Sequence, residues 1–516
     1  MRSRVGRELA RVAFVLACVA TTVGVASAQR IGPSTSTEPY VLPSTPGVTT
    51  TSILTVGDAI GGYPLVGIPD GLGAFKSGHR TFTLLANHEL RPMQGAVRAH
   101  GSQGAFVSRW EIKRNTLEVL KGEDQTPSPS DVYSWDPVSS QYVQGTVAWN
   151  RFCSADLAPR KAFFHGGKGT QDRLYLNGEE ANNGTAWAHI ATGPHKGQSW
   201  QLPRLGRMAF ENVVASPHRQ LKTVVIGLDD ADASTSPIPP NVPSEVYVYI
   251  GTKTKHGTPI ERAGLTNGGL FGMKVAVNGI TVTEESNADG LGSGGNYVGS
   301  GAFSLHSFGD VSGLTETQLQ DAAIAADVFR MQRVEDGVWD PRPRHKNDFY
   351  FVTTASFSTN SRLWRLRFND IEHPENGGTI EILLTGSEGH KMLDNITMDR
   401  LGRLLMQEDI GGQNALGKIW LYDTNGGQLI EIAAHNPAFF APPVPPALTI
   451  DEESSGIIDA KRILGRGWFL LDVQAHFTHS DPALVQGGQL LAMYVDPHIG
   501  SGLDDDDEDE DEREDF

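Results

Sequence analysis

Apolar and polar residues alternate, or apolar residues run together for a few positions, over 81–86, 105–112, 173–176, 223–228, 246–250, 348–354, 363–368, 379–384, 403–407, 419–422, 468–473 and 489–494. Gly, Asn, Asp and Pro fill the intervals between these runs. A period of two bounded by turn residues predicts strands of packed sheets. Only 315–329 (TETQLQDAAIAADVF) has helical spacing, with Thr315 as its start signal. Many short strands without alternating helices predict an all-β chain. Over residues 53–498, a single β-propeller-like domain with long loop insertions fits better than one sandwich. No internal repeat is visible, so the blade number does not follow from the sequence. The Gly-, Asn- and Ser-rich stretch 265–304 is expected to include a surface insertion, and 439–449, with four prolines, is expected as a loop.

The termini differ from this body. Residues 1–28 have Arg2, Arg4, Arg7 and Arg11, an apolar stretch from Val12 to Val25, and a small-x-small site at Ala26-Ser27-Ala28. This predicts a secretory signal and an exported protein, periplasmic or secreted. A lipid anchor at Cys18, in Val15-Leu16-Ala17-Cys18, is the alternative, and no twin-arginine pair is present. Residues 29–52 are expected as an extended arm, and 499–516 as a solvated acidic tail. That tail carries −10 of the formal net charge of −18 over 516 residues. The body is therefore only mildly acidic and lacks the basic excess of a nucleic-acid binder. With the leader removed, Cys153 is left without an intrachain partner, so core burial and bound metal must hold the fold. No other run is long enough to span a bilayer, and a monomer is expected.

Candidate chemistry lies where acids meet strand ends. Residues 205–251 hold Glu211-Asn212, then a β-rich run ending at Asp229-Asp230, then a second alternating run. The same association recurs at Asn87-His88-Glu89, at Glu179-Glu180, at Arg333 with Glu335-Asp336, and at Asp394-Asn395 and Asp399 before Glu408-Asp409. One such pair is ordinarily a turn. Several of them, brought together by strand ends around a propeller channel, would offer the six to eight hard oxygen ligands that calcium takes. Without a cation they would repel one another.

The ordered set LLANHEL, RLYLNGEEAN, LGRMAFEN, VVIGLDDAD, RVEDGVWDP and MLDNITMDRLGRLLMQED resembles the PhoX-type secreted alkaline phosphatases, over most of residues 81–496. Those are calcium-dependent phosphoesterases on a β-propeller with a mixed iron and calcium site. The resemblance implies Glu180, Glu211, Asp229, Glu335, Asp394 and Glu408 as metal ligands, Arg333 as a phosphate contact, and Asn87 near the phosphate. It implies calcium as a cofactor and a small phosphorylated substrate. The chain departs from the family at three positions. The cysteine before the Glu-Glu pair, an iron ligand in the family, is Gly178, which puts iron in question; a family histidine is Phe210, and a family proline is Val334. Cys153 is read either as a small buried hydrophobe or as a thiol reaching the site from another loop. Arg333 could equally be a structural partner of Glu335 or Asp336.

Other chemistries find no motif: there is no Gly-x-Ser-x-Gly elbow, Walker loop or His-Glu-x-x-His, and Gly166-Gly167-Lys168-Gly169-Thr170 lacks P-loop spacing. His476 and His479 are read as loop residues. The sequence therefore predicts a metal-dependent phosphoesterase. The alternatives are a non-catalytic calcium-binding propeller and a calcium-dependent ester or lactone hydrolase.

Overall fold

The computed structural model describes residues 29–230, 244–292, 296–441 and 448–500. The predicted signal, its Cys18 alternative, and all but the first residues of the acidic tail lie outside them. Each strand run expected from the pattern is a strand, and Glu316–Ala325 is a helix whose Thr315 and Gln318 form a reciprocal capping box.

Strands are arranged as six blades around a channel. The inner strands are Pro69–Lys76, Phe152–Asp156, Phe210–Ala215, Val334–Trp339, Leu393–Met398 and Glu452–Asp459, and each touches the next, the last returning to the first. Every blade then steps outward through four antiparallel strands, as in Pro69–Lys76, Thr81–His88, Phe106–Lys113 and Val119–Asp124 of blade 1, and blade 2 adds Val132–Asp136 in parallel beyond its fourth. Val48–Thr55 from the start of the chain is the fourth strand of blade 6, beside Gly487–Val495 near its end. This pairing ties the two ends of the chain into one blade and closes the ring. The stretch expected as an arm is thus stitched into the sheets: Val41–Pro43 extends blade 5, and Gln29–Ile31 runs parallel to Val48–Thr55.

The stretch 265–304 is also partly strand. Gly269–Val277 is the outer strand of blade 3, and Ser300–Gly309 bridges it to Gly378–Leu384 of blade 4. Its Gly and Ser content hides the alternation, and Ser300–Gly309 buries only Phe303 fully.

The core is divided among the seams between blades, and each neighbouring pair of blades shares one apolar cluster. Alternate residues of a strand feed opposite seams. In Lys222–Asp229, Val224, Ile226 and Leu228 face blade 4, whereas Val225 joins the seam with blade 2. Burial on both faces is why these strands read as near-continuous apolar runs. No helix among the described residues is long and apolar enough to cross a membrane.

Candidate metal centre

Every inner strand opens with the same departure from regular β structure. The residue just before it has positive φ in four blades: Ile68, Arg151, Arg333 and Met392. For non-glycine residues this conformation costs about 1–2 kcal/mol each. Just inside the strand, the pairing with the second strand slips by one residue in all six blades. Two residues then face one: Cys153-Ser154 stand against Gly178, Glu335-Asp336 against Val352, and Asp394-Asn395 against Gln407. A bulge re-aims side chains and interrupts the ladder. Here it recurs around a ring.

The first bulge residues are Asp70, Cys153, Glu211, Glu335, Asp394 and Ser455. A second tier comes from the residue just past each second strand: Glu89, Glu180, Asp230, Thr354, Asp409 and His476. Ligand atoms from the two tiers form overlapping groups, each with its atoms within 4.8 Å of one another: Asp70, Glu89 and Cys153; Cys153, Glu180 and Glu211; Glu211, Glu335 and Asp394. Sharing Cys153 and Glu211, they make one continuous band of buried acids.

Burial and mutual repulsion raise Asp70, Glu180, Glu211, Glu335 and Asp394. Burial lifts Glu180 to about 8, with Arg151 opposing the rise. Glu211 stands well above the usual carboxylate range through burial and then Asp70 and Glu180. Asp394 does so through burial and then Glu335 and Glu211. Glu211 Oε1 and Asp394 Oδ1 are buried without a hydrogen-bond partner. Carboxyls buried this closely keep their charge only when paired or coordinating a cation, and otherwise hold a proton.

Two arginines answer part of the charge. Arg151 donates from Nε to Glu89 Oε1 at 2.6 Å and lies 2.5 Å from Glu180 Oε2. Arg333 grips Asp230 with Nε and Nη2 at 3.0 and 2.7 Å, and its Nη2 lies 3.0 Å from Glu335. Each sits at the positive-φ position of its blade.

Beneath the acids the channel is closed by the second bulge residues. Asn395 Nδ2 donates to Ser154 Oγ across the ring, and Asn212 Nδ2 donates to Asp336 Oδ1 at 2.5 Å. Gly71 takes part because a Cβ there would lie 2.5 Å from the Ala155 nitrogen.

Of the residues expected at the site, Glu180, Glu211, Glu335, Asp394 and Arg333 come together. Asp229, Glu408 and Asn87 point elsewhere. Asp229 and Glu408 end their strands, one residue before the tier, and alternation turns them to the opposite side. Asp229 accepts from the Ala209 amide at 3.2 Å. Glu408 accepts from Lys391 N at 2.7 Å, Trp420 Nε1 at 2.8 Å and Lys418 N at 3.1 Å. Both carboxylates thereby hold the entry to an inner strand. Asn87 lies under the acids, donating to Cys153 O at 2.6 Å and accepting from Tyr175 Oη and Asn177 Nδ2.

Sequence reasoning did not include Asp70, Arg151 and Glu453, named Asp230 and Asp409 only as members of acid pairs, and did not place His476 here. The signal for Asp230 and Asp409 was present in the tandem acids, where Glu180 already marked the second member. Asp70 sits in a Pro-Asp-Gly that reads as a turn. No side chain fits at Gly178, since a Cβ would lie 2.2 Å from Cβ of Phe210. The thiol comes from the neighbouring inner strand instead: Cys153 Sγ donates to Asp70 Oδ2 at 3.3 Å. Gly178 and Phe210 thus fit together as one packing contact.

No family model matches the chain, and no curated protein does. Solved structures do. In fold, the chain is similar to PhoX of Pseudomonas fluorescens. That structure, a complex with vanadate, a transition state analogue, aligns at a TM-score of 0.61 with 13% identity over 88% of this chain and 96% of that one. A gluconolactonase from Xanthomonas campestris aligns at 0.34 with 10% identity over 88% and 99%. A PQQ-bound aldose sugar dehydrogenase from Streptomyces coelicolor aligns at 0.38 with 10% identity over 87% and 100%. The first likeness supports the propeller architecture, and the acidic clusters make a candidate metal-binding site on it.

Proposed function

We propose that the chain is an exported, metal-dependent phosphoesterase that hydrolyses phosphate monoesters at the channel mouth. The observation that carries this is the band of acids with orphaned oxygens, Glu211 Oε1 and Asp394 Oδ1, between two arginines. Glu180, Glu211, Glu335 and Asp394, joined by Asp70 and Glu89, would hold cations, and their oxygens suit calcium. Cys153 adds a soft ligand that admits iron at its end of the band. Bound cations would neutralise a phosphate ester and act on it as Lewis acids.

The chain's own residues supply the rest. Arg333 is fixed by Asp230 and Glu335 with its side chain still 17% exposed, so it can meet a phosphate oxygen with a guanidinium already oriented. Arg151 faces it from blade 2. Asp229, Glu408 and Asn87 serve as the frame that fixes the inner strands. The PhoX likeness supports the same reading, and a vanadate site in that protein fits a phosphoryl-transfer centre.

The test is hydrolysis of 4-nitrophenyl phosphate by the purified chain with calcium, with calcium and iron, and with a chelator. Turnover that requires added cation is expected. Arg333→Ala is expected to lower it at least about 10²-fold at unchanged cation content. A folded, cation-loaded chain without turnover would overturn the proposal.

A further inference from the structure

His476 breaks the pattern of the second tier. The equivalent positions carry acids in four blades and Thr354 in blade 4; blade 6 alone presents an imidazole. It is not a loose loop residue. Its Nδ1 is 2.7 Å from Gln486 Oε1, which as an amide oxygen only accepts, so Nδ1 carries a proton. Its Nε2 lies 3.5 Å from Glu453 Oε2. Glu453 is itself held by Ser455 Oγ and Gln474 Nε2, and that same Gln474 amide donates to Asp70 and Glu89 of the acid band.

We propose that His476 is the general acid of the reaction, giving its Nε2 proton to the departing oxygen of a phosphate monoester. The inference rests on the phosphoesterase reading. Among the basic groups facing the band, His476 is the most open, its side chain 25% exposed against 17% for Arg333 and 15% for Arg151. An ester bound with its phosphoryl group inward would present its leaving group to the open side of the band, where the imidazole is the most exposed of these groups and its Nε2 is held only by the 3.5 Å contact to Glu453. The arginines cannot serve, because a guanidinium does not give up its proton. The two tiers contain no lysine.

The charges around His476 keep it protonated. Burial opposes its charge, but Glu453, then Gln486 and Asp451, outweigh that and raise it to about 10. Asp409 lies beside Glu453 through a backbone bridge, and burial pushes its own carboxyl up to about 7. In the step, a water oxygen bonds to phosphorus, the bond from phosphorus to the ester oxygen breaks, and its electron pair takes the Nε2 proton. The products are the alcohol and inorganic phosphate. The proton released by the attacking water restores the imidazolium through solvent, so one water is consumed and no oxidant is needed.

General acid help matters most for poor leaving groups. His476→Gln, which keeps an amide near Gln486 but has no titrating group, is compared with the parent chain, both cation-loaded. The expected kcat/KM loss is about 10²-fold or more on an alkyl phosphate and less than about tenfold on 4-nitrophenyl phosphate. Glu453→Gln leaves the imidazole in place and is expected to move the alkaline limb of alkyl phosphate hydrolysis to lower pH by about one unit or more. The histidine signal lost in His476→Gln, followed by NMR of labelled chain, should titrate above neutrality. Equal losses on both substrates, an unmoved limb, or an imidazole neutral at pH 7 would overturn the role while leaving the phosphoesterase reading intact. No turnover by the parent chain on either substrate would overturn both.

Discussion

The inner strands and the strands outside them are built on opposite rules. Thr81–His88, Lys222–Asp229 or Trp468–Ala475 carry apolar residues to both of their seams and keep regular pairing with the strand beyond. The inner strands read PDGLGAFK, FCSAD, FENVVA, VEDGVW, LDNITM and EESSGIID, with polar residues at a bulge and often a strained residue before it. The outer strands supply cohesion, and the inner strands use some of it to hold charges that would otherwise separate. Like charge is gathered in one register of one ring of strands, where the rigid blades behind it hold the side chains in place.

That division can be broken from either side. The largest contrast is between Glu211→Gln and Ile226→Ala. The first should lower turnover at least about 10²-fold and remove bound cation, while leaving the metal-free fold no less stable. The second empties part of the seam between blades 3 and 4, where Ile226 is fully buried, and should cost about 2–5 kcal/mol of stability with kcat/KM preserved. Activity assays, cation analysis and denaturant midpoints on both variants decide it; a stability loss without a cation loss in Glu211→Gln would count against the division.

A second contrast is in pH. Burial and like charge raise Glu180 from 4.5 to about 8 and Asp409 from 3.8 to about 7. A raised carboxyl binds more protons folded than unfolded, so its contribution to stability is present below the unfolded value and lost as pH climbs to the folded one. The metal-free chain should therefore have a higher denaturant midpoint at pH 5 than at pH 8, and calcium should flatten the difference. A metal-free midpoint that rises over that interval would contradict the electrostatic account.

The smallest contrast separates neighbours in the sequence. Glu408→Gln disturbs a carboxylate with three donors and should cost about 1–3 kcal/mol of stability at unchanged cation affinity. Asp409→Asn should do the reverse. Calcium titration and denaturant midpoints on the two variants test whether the one-residue step changes a side chain's task.

The outer strands were legible because alternation is a local signal: each expected run is a strand within a few residues. None of the inner strands was among those runs. Their bulges insert a residue and break the period on which the reading depends. The repeat was invisible for the same reason, since what recurs is a backbone register with Asp, Cys, Glu or Ser in it. Acid pairs marked the neighbourhoods, and the family resemblance named Glu180, Glu211, Glu335 and Asp394 within them. Asp229 and Glu408 were chosen over Asp230 and Asp409 because adjacent residues at a strand end are indistinguishable by composition yet face opposite sides.

By itself the sequence determined an all-β chain, the longest helix among the described residues with Thr315 at its start, and the association of acids with strand ends. These follow from periodicity and turn chemistry, which act over a few residues. The tertiary structure decided that the blades number six and that Val48–Thr55 completes the last of them. It also decided that Cys153 and not position 178 brings the thiol, and which member of each acid pair meets the others. Those outcomes depend on contacts between residues far apart in the chain, where the room left by Phe210 or the turn of a bulge sets what can face the channel.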